Sequence, residues 1–278
     1  MALPIRRSLA WSLALSALGT SAAAASQLAV LSRPGTSGPE SILVLPTPHA
    51  GLPAPDMLEV AGLPDFAGPH GLSFADSDTV LVADFLNFRL LVVNVASRQL
   101  EAVIPIGDPG EQGSADGTGT LAVDPSGRYA LVLGDLACFE TGYLTVVHAP
   151  FHAGSTVTRT PLPWGCGMEE WVTQGIVFDR ERRAYIWGRS SIRVFEPPYI
   201  AEFLGVNQLN NSGGAIAITP DDNQLLTTDV STSGQVGIWS LPLAGASQPQ
   251  MLDIAPGVVL YAIGVSPDGM RALVAAGD

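Results

Sequence analysis

One short pattern recurs five times along the chain, and it leaves few architectures open. It runs as an apolar strand, a tight polar turn and a second apolar strand. The copies are Pro69-His-Gly-Leu-Ser-Phe74 with Thr79-Val-Leu-Val-Ala-Asp84, Thr120-Leu-Ala-Val123 with Tyr129-Ala-Leu-Val-Leu133, Gln174-Gly-Ile-Val-Phe178 with Ala184-Tyr-Ile186, Ala215-Ile-Ala-Ile218 with Gln224-Leu-Leu226, and Ala262-Ile-Gly-Val265 with Ala272-Leu-Val274. Aligned on Phe74, Val123, Phe178, Ile218 and Val265, the copies lie about 40 to 55 residues apart, long enough for four strands each. A single unit of this size cannot bury both of its faces, so the units must stack in series around one core. The pattern therefore predicts an all-β fold, a β-propeller of four-stranded antiparallel blades, and no clear amphipathic helix competes with it.

The turns support the same reading. Asp124-Pro-Ser-Gly127 and Ser266-Pro-Asp-Gly269 place proline at the second turn position and glycine where φ is expected to be positive. Their aspartates are read as turn formers rather than as calcium ligands or catalytic groups. Four fuller blades are expected, starting at His70, Leu121, Gly175 and Ala215, with partial blades at both ends. In the first partial blade, Gln27 to Arg33, Ser41 to Pro46 and Met57 to Ala61 read as strands two to four, with the innermost strand missing. The last stops after two strands. Either the ring is five-bladed with one terminal strand displaced, or the chain is the front part of a six- or seven-bladed ring.

The first 25 residues do not fit the repeat. Arg6 and Arg7, the apolar run from Leu9 to Leu18 and the small residues Ala22 to Ala25 have the form of a signal peptide. The run is too short for a transmembrane anchor, and the Arg-Arg-Ser-Leu start resembles a twin-arginine signal. The expected domain is thus 26–278, exported to the periplasm or the exterior, with no transmembrane segment in the mature chain. The chain has no lysine; its 13 basic residues are all arginine, against 26 acids. Removing the signal takes Arg6 and Arg7 and no acid, so the mature charge becomes −15. Such a surface repels phosphate backbones, which excludes nucleic acid as a natural partner.

Pro69-His-Gly-Leu-Ser-Phe74, Val80-Leu-Val-Ala-Asp84 and Asn87-Phe-Arg-Leu-Leu-Val-Val93 resemble one NHL repeat. Ile218-Thr-Pro-Asp-Asp222 and Val265-Ser-Pro-Asp-Gly269 resemble the turns of YVTN and WD40-like repeats of exported bacterial proteins. The likeness covers most of Gly68 to Asp278. It implies a fold shared by scaffolds, lactone hydrolases, lyases and adhesion proteins, and so does not select a function. It also implies that Asp84, Asn87 and Arg89 fix the turn between the second and third strands.

Chemistry-bearing residues are sparse. An enzyme of this architecture would aim several carboxylates, amides or imidazoles into the channel from the starts of the innermost strands. Here those starts supply His70, Thr120, Gln174, Gly213 or Gly214, and Tyr261 or Ala262, so His70 is the one candidate base or metal ligand. One imidazole is not a calcium cage of roughly six to eight oxygens, nor a closed zinc site. No cofactor is therefore predicted, and calcium or zinc enters only with the enzyme alternative. His148 and His152 share no helical face, His49 stands apart, and Ser73 lacks the setting of a nucleophile elbow.

The most distinctive connection is Leu162-Pro-Trp-Gly-Cys-Gly-Met-Glu-Glu-Trp171, between the third and fourth units. The only cysteines, Cys138 and Cys166, form a natural disulfide in an exported protein. That bond would fix Trp164, Glu169, Glu170 and Trp171 as an aromatic and acidic rim, the tryptophans supplying contact area and the carboxylates direction. The same tryptophans would serve equally well packed between blades. Asn207-Gln-Leu-Asn-Asn-Ser-Gly213 reads as a second polar loop, contributing Asn207 and Asn210 to the same face. The residues thus point to a binding or scaffold protein recognising a protein or carbohydrate through a loop face. The alternatives are a metal-dependent lactonase-like or lyase-like enzyme built around His70, and a structural domain of a longer envelope protein.

Overall fold

The computed structural model describes residues 28–33, 41–46, 56–58, 69–84, 87–107, 120–134, 142–162, 175–187, 191–208, 212–230, 236–243, 250–253, 259–266 and 268–277. Among them there is no α-helix, and the strands fall into six antiparallel sheets. The first holds β1 (Leu28–Arg33), β2 (Ser41–Pro46) and β3 (Asp56–Leu58). The second holds β4 (Pro69–Phe74), β5 (Thr79–Asp84), β6 (Arg89–Asn94) and β7 (Gln99–Pro105). The third holds β8 (Thr120–Val123), β9 (Tyr129–Gly134), β10 (Gly142–His148) and β11 (Val157–Leu162). In the fourth are β12 (Gly175–Phe178), β13 (Ala184–Trp187), β14 (Ser191–Phe195) and β15 (Glu202–Gln208). The fifth comprises β16 (Ser212–Ile218), β17 (Gln224–Val230), β18 (Val236–Pro242) and β19 (Gln250–Asp253), and the sixth β20 (Val259–Val265) and β21 (Ala272–Gly277).

Each sheet is a simple meander, and the leading strands β4, β8, β12, β16 and β20 lie beside one another in chain order. The four-strand units expected from the repeat are all present. At the N-terminus the reading differs: β1 is the strand that meets β4, so it takes the innermost place itself. Its hairpin is joined by Pro-Gly-Thr-Ser-Gly-Pro rather than by the short Asp/Pro turn of the other copies, and this hid its rank in the sequence. The polar stretch 207–213 also differs. Asn207 and Gln208 belong to β15, and Ser212 and Gly213 to β16, because Gln208 pairs with Ser191 and Ser212 with Val230. Backbone pairing extended both strands through residues whose polarity suggested a loop.

Alternation places successive residues on opposite faces, and the clusters follow that rule. Leu121 packs with Leu81, Leu90, Val92 and Ile104 of the second sheet. Ile176 packs with Leu131, Leu133, Leu144 and Val146 of the third, and Ile216 with Tyr185, Trp187, Ile192 and Val194 of the fourth. The core is thus a series of sandwiches between consecutive sheets, each buried aliphatic side chain stabilising it by about 1.5–3 kcal/mol. The run Val80-Leu-Val-Ala83 is buried at every position because both faces of the second sheet are covered.

Candidate functional site

The two ends of the sheets are built differently. At one end lie the turns after β4, β8, β12, β16 and β20. In four of them the backbone N–H of the fourth turn residue donates to the carbonyl of the first: Gly127 to Asp124, Arg182 to Asp179, Asp222 to Thr219 and Gly269 to Ser266. All four residues have positive φ, as the glycines at 127 and 269 predicted. This fourth position also touches the preceding sheet. Gly127 faces the Ala75 carbonyl and Gly269 faces Pro220, while Arg182 and Asp222 use side chains. Arg182 Nε donates to Asp124 Oδ2 at 2.9 Å, with Nη2 2.7 Å from the same oxygen. Asp222 Oδ2 accepts from the Arg180 backbone at 3.1 Å, and the Arg180 guanidinium donates to the Pro220 carbonyl.

The carboxylates here are consumed by the fold. Asp124, fully buried, accepts from Ser126 Oγ and from the Arg128 and Tyr129 backbones as well as from Arg182. Asp179 accepts from the Arg183 backbone, from Arg183 Nε at 2.6 Å and from Tyr185 Oη. Asp221 and Asp268 are held below the ordinary carboxylate range by hydroxyls, Thr219 and Ser266 respectively, and then by neighbouring backbone N–H groups. This end has the chemistry of a finished joint. The Asp179-Arg-Glu-Arg-Arg183 turn was given no role from sequence; three arginines in one turn, where other copies carry glycine or aspartate, were the available signal.

Burial, and then the Asp179 charge, push the Tyr185 phenol up to about 12. A raised folded-state pKa contributes stability that is complete below the ordinary tyrosine value and lost as pH climbs through the folded value. The urea midpoint should therefore begin to fall above about pH 10, and Tyr185→Phe should shift that onset upward. An unchanged onset would assign the transition to other groups.

The opposite end is where the leading strands begin. Register shifts fall between Pro69 and Gly71, between Gly213 and Ile216, and between Leu260 and Ala262. In the first and third cases the extra residue is His70 and Tyr261, so a β-bulge marks the entry of β4, β16 and β20. In β16 the bulge is held by the buried Thr228 hydroxyl, which accepts from the Ala215 backbone at 2.8 Å. Beside the first bulge stands Asp84, which pairs with Pro69 and is fully buried. Its Oδ2 accepts from Asn87 at 2.8 Å and Arg89 Nε at 2.6 Å, fixing the turn into β6, while Oδ1 is buried without a partner. Asp229 pairs with Gly213 and so occupies the corresponding register position in the fifth sheet.

Connections leave from this end too. The chain exits at Gly134 and returns at Gly142, beside Leu162, where it exits again to return at Gly175. Cys138, Trp164, Cys166, Glu169, Glu170 and Trp171 fall between those residues, and Asn210 between Gln208 and Ser212; all lie outside the described residues. His70 and Asn207 are placed by backbone only, in β4 and β15. Ser73 has a structural partner: its Oγ accepts from the Val123 backbone at 3.1 Å and ties β4 to β8. His148 lies edge-on to Tyr129 at 5.1 Å, and His152 Nδ1 accepts from the Gly154 backbone within an exposed turn. Among the described residues no three His, Cys, Asp or Glu side chains are grouped as metal ligands, and no helix is long and apolar enough to cross a membrane.

Serial four-stranded meanders, packed face to face with leading strands side by side, define a β-propeller-type fold, and solved structures agree. Hydrazine synthase of Kuenenia stuttgartiensis superposes with a TM-score of 0.64 at 13% identity, covering 88% of this chain and 70% of that one. The Cps50 (Swd1) β-propeller domain of Myceliophteria thermophila gives 0.59 at 9% identity, covering 90% and 76%. A functionally unknown protein from Desulfotomaculum acetoxidans gives 0.54 at 15%, covering 84% and 69%. At such identities the likeness is one of fold. No family model matches the chain, and no curated protein matches its sequence.

Proposed function

We propose that this is an exported binding or scaffold propeller of the NHL, YVTN and WD40-like kind, recognising a protein or carbohydrate through the strand-start end. The observation that supports this is the asymmetry of the two ends. At the turn end, arginine, aspartate and hydroxyl groups are spent on one another. From the other end leave the connections 135–141 and 163–174, which carry Trp164, Glu169, Glu170 and Trp171. Their flanking residues are neighbours in one sheet, since Gly142 pairs with Leu162 and Tyr143 with Gly134, which favours a Cys138–Cys166 bond across them. Aromatic side chains give a sugar or peptide large contact area at low entropic cost, and adjacent carboxylates orient its hydroxyl or cationic groups.

Glycan-array and pull-down screening should yield a ligand whose affinity falls at least roughly tenfold in the Trp164→Ala, Trp171→Ala double variant, with the unfolding midpoint little changed. A variant that unfolds earlier yet binds normally would assign both tryptophans to packing. The lactonase-like or lyase-like alternative rests on the bulge that singles out His70. It predicts a divalent ion, calcium or zinc, whose addition raises thermal stability in the wild type and not in His70→Ala.

A further inference from the structure

Two polar groups are buried in one apolar joint. Trp187, the last residue of β13, is directly opposite Gly175, and Thr227 in β17 is directly opposite Ile216. Directly opposite residues of an antiparallel pair share a face, and these two faces meet: a Cβ on Gly175 would lie 2.4 Å from Ile216 Cγ2. Trp187 accordingly packs with Ile216, Leu225 and Leu241 of the fifth sheet, and Thr227 lies two residues beyond Leu225 on the same face of β17. Trp187 is 1% exposed and Thr227 0%. Among the described residues neither Trp187 Nε1 nor Thr227 Oγ1 has a hydrogen-bond partner. The repeat shows that the hydroxyl is a departure. Because Ile218 pairs with Leu225 as Phe74 does with Val80, Val123 with Ala130 and Phe178 with Ala184, Thr227 stands where the second, third and fourth sheets carry Val82, Val132 and Ile186. Burying a hydroxyl where valine would fit is costly unless the hydroxyl is bound.

We propose that the joint between the fourth and fifth sheets is a site for one internal water, which accepts from the Trp187 indole N–H and bridges it to the Thr227 hydroxyl. The chemistry of the two groups selects that occupant. An indole N–H only donates, a hydroxyl donates and accepts, and a water can answer both. A charged occupant would find no counter-charge among Ile192, Val194, Ile216, Leu225 and Leu241, the aliphatic members of the cluster. An internal water makes about three hydrogen bonds, and the backbone is opened beside the pair to provide another. Between the Gly213–Asp229 and Ile216–Thr227 pairs, Gly214 and Ala215 stand against Thr228 alone, the two-against-one count of a bulge. The Ala215 N–H is taken by the Thr228 hydroxyl, which leaves backbone carbonyls of the bulge to face the site. Trp187 stands three residues beyond Ala184 and Thr228 three beyond Leu225, so the tryptophan is at the height of the bulge. The joints with Val132 and Ile186 at this position have no such bridge to offer.

Nuclear magnetic resonance of the full chain with isotope-labelled tryptophan tests this. The Trp187 indole N–H signal, assigned as the one lost in Trp187→Phe, should show a nuclear Overhauser effect to a long-lived water. Thr227→Val should shift that signal and abolish the effect, whereas Thr227→Ser, which keeps the hydroxyl, should retain it. Although valine is the residue that two sister sheets carry at this position, Thr227→Val should lower the folding equilibrium constant about three- to tenfold. In the Trp187→Phe background the same substitution should cost less, because the two side chains share one partner. No water signal at Trp187 in the wild type, strictly additive costs, or a Thr227→Val variant with an unmoved indole signal would overturn the proposal. A Thr227→Val variant at least as stable as the wild type would do so too, since it would show that the hydroxyl is buried bare.

Discussion

Replacing Asp124 by alanine should cost about 3 kcal/mol of folding stability, read as a lowered urea midpoint with an unchanged slope. The reasoning rests on what the substitution strands. Asp124 is fully buried and accepts from Ser126 Oγ, from the Arg128 and Tyr129 backbones and from Arg182. The Arg128 and Tyr129 backbone N–H groups both lose a part-buried acceptor, and the buried carboxylate cavity is left unfilled; a stranded donor costs about 1–3 kcal/mol, toward the low end where water can reach it. Arg182, by contrast, is 30% exposed and regains water when the partner is removed. The ion pair should therefore contribute at most about 1 kcal/mol. Arg182→Gly separates the two effects. It loses the pair but relieves a residue at φ 68°, a conformation glycine adopts without strain. The net change should be within about 1 kcal/mol of zero. A loss in Arg182→Gly equal to that in Asp124→Ala would show that the inter-sheet link, and not the turn, dominates.

That contrast marks where sequence reasoning was sufficient. The Asp-Pro-Ser-Gly signature identified the turn and the positive φ at Gly127 because local stereochemistry permits little else there. Nothing local announced that the fourth position of each turn reaches the preceding sheet. Gly127 and Gly269 do so with backbone, Arg182 and Asp222 with side chains, and the equivalence appears only when consecutive sheets are superposed. The same limit hid the rank of β1, whose innermost position is a fact about β4 rather than about its own residues. Polarity misled at Asn207 because hydrogen bonding to β14 extends β15 whatever its side chains prefer.

Candidate chemistry was legible mainly by elimination. The sequence offered Ser73, Asp84 and the turn aspartates as conspicuous groups; in the fold Ser73 ties two leading strands and Asp84 fixes a turn. Asp124 and Asp179 close the opposite end. Removing them from consideration leaves the strand-start end, with its bulges at His70 and Tyr261 and the connections that depart from it. A propeller divides its labour in this way because each four-stranded sheet exposes two sets of connections, and only the set freed from joining neighbours can vary with a ligand.

Gly71→Ala should be nearly as damaging as Asp124→Ala, by about 2–3 kcal/mol, although it adds one methyl group. A Cβ at position 71 would lie 2.7 Å from both the Leu121 backbone nitrogen and the Leu121 Cβ, neither of which can rotate away. Relief requires β4 and β8 to separate, and these strands are also joined by the Val123 N–H to Ser73 Oγ bond, which at 3.1 Å has little room to lengthen. Gly175→Ala provides the control. There the added methyl meets Ile216 Cγ2 first, with the Ile216 backbone nitrogen farther off at 3.4 Å. The cost should be smaller, about 1–2 kcal/mol, and Ile216→Leu, which removes the β-branch at nearly constant volume, should recover most of it. No change at Leu121 can do the same for Gly71→Ala, because the obstruction is main chain. If Leu121→Ala rescued Gly71→Ala, or if Gly71→Ala unfolded at the wild-type urea midpoint, the close approach of the leading strands would not be what requires glycine there.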